Sequence, residues 1–282
     1  MGAFARGYVR NPSGHRAPPA RLLLGARPPA AWSELPVSVD LSEHFPEHTD
    51  QGPSSSCVGH GTAVAIAATF SAAAKPLSFV PSPLGIYAVA RAITRAHDNP
   101  RGALPMLADE GAMPADAIAG IALWGVHPMG PRRSDGRYSD VDLGNVNAEP
   151  SLIEIEQDGI ALIVGEHAVT TLLVSDRAFE VASLLAAGQV VVFGMVVDGA
   201  YERWIRGDAP ISRTDERDPD GGGHWQALSG YTHSPGGGTV FRVRGSWGEG
   251  AGDGGDFLIT DTMLAACDDV TAIRAKLGTR RA

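Results

Sequence analysis

The sequence predicts an α+β protein in two lobes, and three features of the chain support this. Helical patterns come first and strand patterns follow, an order that is typical of α+β folds. The 282 residues, 44% hydrophobic and 20% charged, are enough for one large core or two small ones. The 35 glycines and 20 prolines indicate a loop-rich chain with sharp turns.

Composition excludes several classes of function. A net charge of −9 argues against a nucleic-acid partner, which normally requires a basic face. The two cysteines, Cys57 and Cys267, make a disulfide framework improbable and favour a cytoplasmic location. No stretch reaches the roughly 18 apolar residues of a membrane span. The histidines lack metal-ligand spacing, so we expect no metal and no cofactor; the oligomeric state stays open.

Both ends of the chain are predicted to lie outside the main domain. Residues 1–36 form a basic, Pro/Ala-rich arm whose only apolar run, 22–24, is too short for a signal peptide. This arm could wrap the body, be partly disordered, dock on an acidic partner, or act as a pro-segment that blocks a cleft. Residues 263–282 are predicted as a C-terminal tail, with Cys267 incidental.

The periodicity between these ends predicts the individual elements. An Ala-rich helix from Val58 to about Ala74 has few large side chains, so we expect it to be central and buried. Further helices are predicted after Ser82-Pro83, from Pro114, and from Arg177 to Ala187. Strands are predicted at 160–164, 169–174, 190–197, 225–231, 239–247 and 257–260, with long loops at 127–151 and 203–220.

The segment from Gln51 to Cys57 is the strongest candidate for a functional site. Ser54, Ser55 and Ser56 can each cap a helix start, and a thiol at that point meets free N–H groups and the positive end of the helix dipole. Both favour the nucleophilic thiolate. The amide of Gln51 could return beside the thiol as a donor to an oxyanion. The alternative is an inert cysteine buried under a helix.

Three motifs together resemble the papain-like cysteine peptidases. The order Gln, Cys, His, Ser-Trp-Gly is the order of that family, and the spacing from Gln51 to Cys57 is the family's spacing. A glycine-rich turn after Trp247 and the segment Leu35–Leu41 extend the resemblance to roughly residues 35–262. The motifs are Gln51-Gly52-x-x-x-x-Cys57, His224 followed by Gly230-Tyr231, and Arg244-Gly245-Ser246-Trp247-Gly248.

The resemblance implies a papain-like two-lobe fold over residues 37–262. A helical lobe at about 50–150 and an antiparallel, β-barrel-like lobe at about 160–262 would place the active site in the cleft between them. It also implies a thiol protease, a hydrolase that cleaves peptide or protein substrates through an acyl-thioester.

The resemblance also implies roles for single residues. Cys57 would be the nucleophile, His224 the general base and acid, and the Gln51 side chain with the Cys57 N–H the oxyanion hole. Trp247 would shield the histidine from water, with Ser246 and Gly245 beside it. The predicted substrate-binding residues are Trp225, Ser55 and Ser56.

Gly245 and Trp225 are among the positions that depart from the family pattern. Gly245 replaces the asparagine that orients the catalytic imidazole, so water, a carbonyl or another side chain must do so. Gln226, two residues along the same strand from His224, is one candidate. Trp225 replaces a small residue and would narrow or close the S2 pocket. His60, three residues after Cys57, could pair with the thiol, although a packed core histidine is the expected role.

A second function remains open at this stage. Gly245 and Trp225 are also what a papain-like pseudo-enzyme could carry, if it kept the cleft to bind a peptide or protein partner. Retention of Cys57 and His224 favours the enzyme.

Overall fold

A computed structural model describes residues 7–12, 15–98, 109–129, 160–171, 173–197, 201, 211, 222–234 and 236–278. Within them, the α-helices are α1 Cys57–Ala72, α2 Pro83–Asp98, α3 Pro114–Trp124, α4 Val174–Ala186 and α5 Asp261–Ala266. The strands are β1 Ser38–Asp40, β2 Leu162–Ala168, β3 Val190–Val196, β4 Gly223–Ser234, β5 Gly238–Arg244, β6 Asp256–Thr260 and β7 Asp268–Leu277. No helix in this part of the chain is long and apolar enough to cross a membrane.

The strands form one antiparallel sheet. Its order is β2-β7-β3-β4-β5-β6, and β1 pairs separately with β4. The predicted α+β class and papain-like architecture are therefore confirmed. The barrel-like description of the β lobe is too strong, because in the described residues the outer strands β2 and β6 do not pair and the sheet stays open.

Strand β4 is the centre of the sheet. It pairs with β1, β3 and β5, and its residues are buried continuously from His224 to Tyr231. In a strand that is covered on both faces, successive residues are all buried and do not alternate between buried and exposed. This burial fixes the position of β4, which carries His224 as its second residue.

Helix α1 lies against β4 and α2, and the prediction of a central, buried helix is confirmed. Two glycines permit the close approach. A Cβ at Gly59 would lie 2.1 Å from the Pro83 carbonyl oxygen, and one at Gly61 would lie 2.8 Å from Cδ1 of Trp225. The small residues of α1 thus bring its first turn, which begins at Cys57, directly onto the sheet.

The C-terminal region differs from the tail predicted at 263–282. Residues 261–266 form α5, and β7 lies between β2 and β3 in the sheet. Cys267 is buried between them and donates its S–H to the Met263 carbonyl at 3.2 Å. The sequence gives only a weak signal for this strand because its buried run is four residues long and has polar residues on both sides. The buried residues are Val270, Thr271, Ala272 and Ile273.

Two other expectations differ in detail. The strand predicted at 160–164 is β2, which continues to Ala168. The strand predicted at 169–174 is wrong, because its described residues lie in no strand and Val174 begins α4. The predicted loops at 127–151 and 203–220 lie almost wholly outside the described residues.

The described part of the arm wraps the body. Pro19 pairs with Ala168 at the end of β2, and short 3-10 helices follow at Ala20–Leu24 and Trp32–Glu34. The ring of Trp32 stacks on His233 with a centroid separation of 3.9 Å. Residues 37–41 then run beside β4, so the arm and the sheet form one continuous packing unit.

We predict that Gly61→Ala destabilises the protein by about 1–3 kcal/mol, because the new methyl group overpacks the contact between α1 and Trp225. This cost opposes a gain in helix propensity of up to about 1 kcal/mol. Urea denaturation measures the change. Gly165→Ala is the matched control, since a Cβ at Gly165 has no atom within 4 Å. A stabilised Gly61→Ala protein would contradict the proposed close packing.

Candidate active site

Cys57 is the first residue of α1 and is fully buried. Its Sγ lies 4.0 Å from the carbonyl oxygen of Gly223, the residue before His224. Backbone N–H groups of Gly7, Cys57, Val58 and Trp225 also point to the sulfur. The helix start and the beginning of β4 therefore meet at this thiol.

The turn before the helix is held by its own polar groups. The Ser54 hydroxyl donates to the Gln51 carbonyl at 2.7 Å and lies 2.6 Å from the Ser56 hydroxyl. The Ser56 side chain makes no cap to α1. The carboxylate of Asp109 accepts the Ser55 N–H at 2.9 Å and the Tyr87 hydroxyl at 2.8 Å. These bonds fix the turn relative to α2.

Aromatic side chains enclose the imidazole of His224, which is fully buried. The Trp247 ring stacks on it at 5.2 Å with an interplanar angle of 18°. Tyr201 meets it edge-on at 5.5 Å and accepts the Trp247 indole N–H at 2.7 Å. The predicted shield is thus a pair of rings, joined to each other by a hydrogen bond.

A hydrogen-bonded chain joins His224 to Gln51 through Ser246. The Ser246 hydroxyl donates to Oε1 of Gln51 at 2.6 Å, and Nε2 of His224 lies 3.5 Å from the same hydroxyl oxygen. Because the hydroxyl proton is used toward Gln51, its oxygen is the acceptor for an Nε2–H. This arrangement favours the tautomer that leaves Nδ1 unprotonated.

Gly245, where the resemblance predicts an asparagine, has no room for a larger side chain. A Cβ at Gly245 would lie 2.5 Å from the Gly255 carbonyl oxygen, so a larger residue there requires the turn to shift. Gln226, the candidate substitute, accepts a hydrogen bond from the Tyr201 hydroxyl at 3.3 Å and makes none to His224. Ser246 is the residue whose hydroxyl lies within hydrogen-bonding distance of the imidazole.

The Cys57 thiol and the His224 imidazole are both uncharged in this arrangement. Burial raises the pKa of Cys57 to about 12, although the surrounding N–H groups oppose the shift. Burial, with a smaller contribution from His60, lowers the pKa of His224 to about 3. Among the described residues, Nδ1 of His224 has no hydrogen-bond partner, so the thiol and the imidazole are not bonded to each other. The thiolate expected at the helix start is suppressed by desolvation.

His60 is a buried core histidine. Its Nδ1 pairs with the Thr49 hydroxyl at 2.8 Å, and its Nε2 has no partner. Burial lowers its pKa to about 3. The rival pairing of Cys57 with His60 is absent.

Residues Gly7–Val9 of the arm occupy the groove beside Cys57. The Ala112 N–H donates to the Gly7 carbonyl at 2.8 Å, and the Val9 N–H donates to the Ala112 carbonyl at 2.9 Å. On the other side, the Tyr8 N–H donates to the Gly223 carbonyl at 3.0 Å. A Cβ at Gly7 would lie 1.6 Å from the Ser55 carbonyl oxygen, so only glycine fits there.

Trp225 forms one wall of a space that holds the Tyr8 side chain. The two rings stack at 5.7 Å with an interplanar angle of 19°. The Tyr8 hydroxyl donates to Oδ2 of Asp269 at 2.6 Å. The expected narrowing of this pocket by Trp225 is offset by Gly194 on the neighbouring strand, which leaves room for the ring.

Sequence reasoning missed four residues around the site. Tyr8 lies in an arm without periodicity, and Asp269 in the segment taken as a tail. Tyr201 and Asp109 are isolated residues beside long loops and carry no motif. Their positions depend on long-range packing that no local pattern records. Within the described ranges, no cluster of three or more potential metal ligands occurs.

We predict that the protein loses stability as the pH falls from 7 to 5, and that His60→Phe reduces this loss by about 2 kcal/mol. The folded-state pKa of His60 lies below its unfolded value, so protons bind preferentially to the unfolded chain below about pH 6.5. Urea denaturation at both pH values measures the loss. An equal loss in the wild type and the variant would contradict a buried, neutral His60.

Comparison with known proteins places this geometry in a familiar fold. No protein-family model and no curated protein matches the sequence. Among solved structures, xylellain, a cysteine protease from Xylella fastidiosa, is 23% identical with a TM-score of 0.65, covering 97% of this chain and 98% of that one.

Two further structures are similar. Digestive procathepsin L2 proteinase from Tenebrio molitor larval midgut is 17% identical, TM-score 0.63, covering 97% of this chain and 78% of that one. Procathepsin B S9 from Trypanosoma congolense is 14% identical, TM-score 0.62, covering 98% and 87%. The chain has the fold of the papain-like cysteine proteases.

Proposed function

We propose that this protein is a thiol-dependent peptidase that hydrolyses peptide or amide bonds and is held closed by its own arm. The observation that carries the proposal is the meeting of Cys57, His224 and Gln51 in a groove already filled by an extended stretch of peptide backbone. Its two free cysteines suit a reducing, cytoplasmic compartment.

In the proposed reaction, His224 Nδ1 takes the thiol proton and Sγ attacks the substrate carbonyl carbon. The Gln51 amide and the Cys57 N–H stabilise the oxyanion that forms. The imidazolium then returns the proton to the leaving nitrogen, the C–N bond breaks, and an acyl-thioester remains. Water, deprotonated by His224, attacks this thioester and releases the acid and the free thiol.

Removal of the arm would activate the site by changing the pKa values of Cys57 and His224. Gly7 and Tyr8 cover the thiol and the start of β4, and burial is the main cause of both perturbed pKa values. Access of water would lower the pKa of Cys57 and raise that of His224. The two values would approach each other, as an ion pair requires.

One observation supports the alternative that the protein is an inactive pseudo-enzyme. The thiol and the imidazole share no hydrogen bond, which also fits a pseudo-enzyme that binds a partner in its groove. The two functions separate once the arm is displaced, because only the enzyme then cleaves protein substrates through Cys57.

We predict that Gly7→Ala displaces the arm, because its methyl group would collide with the Ser55 carbonyl. Alkylation of Cys57 by iodoacetamide at pH 7, followed by peptide mass spectrometry, should be at least about tenfold faster than in the wild type. The variant should also cleave casein, and adding Cys57→Ala should abolish that cleavage.

Val9→Ala is the control for arm displacement. The Val9 side chain is 44% exposed and its N–H bond to Ala112 survives the substitution, so alkylation should stay slow. Cys267, which is buried and donates its S–H to the Met263 carbonyl, is the internal reference. Fast alkylation of Cys57 without cleavage of any protein would favour the pseudo-enzyme, and slow alkylation would refute arm control.

We predict a positioning role for Ser246. In the arm-displaced background, Ser246→Ala should lower kcat about 10- to 100-fold with little change in KM, because the imidazole loses the acceptor that sets its tautomer. The pH profile of kcat should change as well, which a purely structural defect would not cause.

Ser229→Ala is the matched control for Ser246→Ala. Ser229 is fully buried on the same strand as His224, and its hydroxyl has no partner. It should keep both kcat and the pH profile. Equal rates for the two variants would remove Ser246 from the mechanism.

A further inference from the structure

The space that holds Tyr8, bounded by Gly194, Gly223, Trp225 and Asp269, is a slot shaped for one kind of side chain. The ring lies parallel to the Trp225 indole, and its hydroxyl reaches Asp269 at 2.6 Å. A Cβ at Gly194 would lie 2.2 Å from Cζ of Tyr8, and one at Gly223 would lie 2.1 Å from Cδ1. Both glycines are therefore required for a six-membered ring to enter.

Three neighbouring strands build this slot. Gly194 of β3 pairs with Trp225 of β4 on one side and with Asp268 of β7 on the other, at a β-bulge. Asp269 follows in β7 with φ of +46°, a left-handed conformation that a non-glycine residue adopts only when its surroundings hold it there. The walls thus belong to the centre of the sheet and do not depend on the arm.

The carboxylate at the end of the slot accepts hydrogen bonds from two neutral donors. Oδ2 of Asp269 also accepts the Asn11 N–H at 2.9 Å, so one oxygen serves two uncharged donors. The nearby cation, Arg10, instead pairs with Asp268 at 2.9 Å and is largely exposed to solvent. A phenylalanine in the slot would leave the carboxylate without the phenol O–H, which is the physical basis for distinguishing the two side chains.

The slot is adjacent to the reacting groups. The Tyr8 N–H binds the Gly223 carbonyl, the residue before His224, and Gly7 lies over Ser55 beside Cys57. Any extended peptide that replaces the arm will place one side chain at the slot when its neighbouring residue lies over Cys57.

We propose that the slot selects tyrosine in the substrate, with Asp269 distinguishing it from phenylalanine. This inference rests on the proposed peptidase function, but recognition of a tyrosine side chain by the slot is a binding property. It can therefore be tested without catalysis.

The test uses the full chain carrying Cys57→Ala and Tyr8→Ala, which cannot react and whose slot is empty. NMR titration compares N-acetyl-tyrosine amide, N-acetyl-phenylalanine amide and N-acetyl-arginine amide. The tyrosine amide should bind roughly 10- to 100-fold more tightly than the phenylalanine amide. Adding Asp269→Asn should reduce that ratio to a few-fold, since asparagine tolerates the left-handed backbone and is a weaker acceptor.

Asp268→Asn, which alters the carboxylate paired with Arg10, is the matched control and should keep the ratio. Gly194→Ala provides a second variant that fills the slot, and it should abolish binding of the tyrosine amide. Equal binding of the tyrosine and phenylalanine amides, tighter binding of the arginine amide, or tyrosine binding that survives Gly194→Ala would each overturn the proposal.

The two proposals can fail separately. Tyrosine-selective binding together with no cleavage of any protein by Gly7→Ala would leave a binding groove and remove the peptidase. Cleavage by Gly7→Ala without tyrosine selectivity in the amide titration would keep the peptidase and remove the specificity.

Discussion

The contact between the first turns of α1 and strand β4 is the constraint on which the site depends. Gly61 brings the helix onto Trp225 with no side chain between them, and Cys57 then lies at the carbonyl of Gly223. A longer side chain at Gly61 would move the helix start away from the strand that carries His224. Cys57 and His224, the proposed nucleophile and base, come from elements far apart in sequence, and this packing contact helps to set their separation.

The polar groups around that contact form a second layer of control. Ser246 connects the histidine to the glutamine, so the proposed base and the proposed oxyanion donor are aligned by the same hydroxyl. Trp247 and Tyr201 cover the imidazole and exclude water. A glycine at position 245, where the resemblance predicts an asparagine, is therefore compatible with an ordered histidine, because the hydroxyl of the neighbouring Ser246 lies 3.5 Å from Nε2.

Much of this could be predicted from sequence where the signal was local. The Ala-rich helix, the proline-started helices and the β-branched run at 190–196 were visible because period and end signals lie within each segment. Strand β7 was missed because its buried run is short and its place between β2 and β3 is decided by tertiary pairing. The order of Gln51, Cys57 and His224 indicated the groove, but Tyr8 and Asp269 meet only in three dimensions.

The bond between Tyr8 and Asp269 joins residues 261 positions apart. During synthesis the arm emerges before any of its binding surface, and β7 is made after the other strands of the sheet. The arm therefore cannot make its bond to Asp269 until β7 has joined the sheet between β2 and β3. Closure of the arm must follow that step, and a chain that stops before β7 would leave the arm without its anchor.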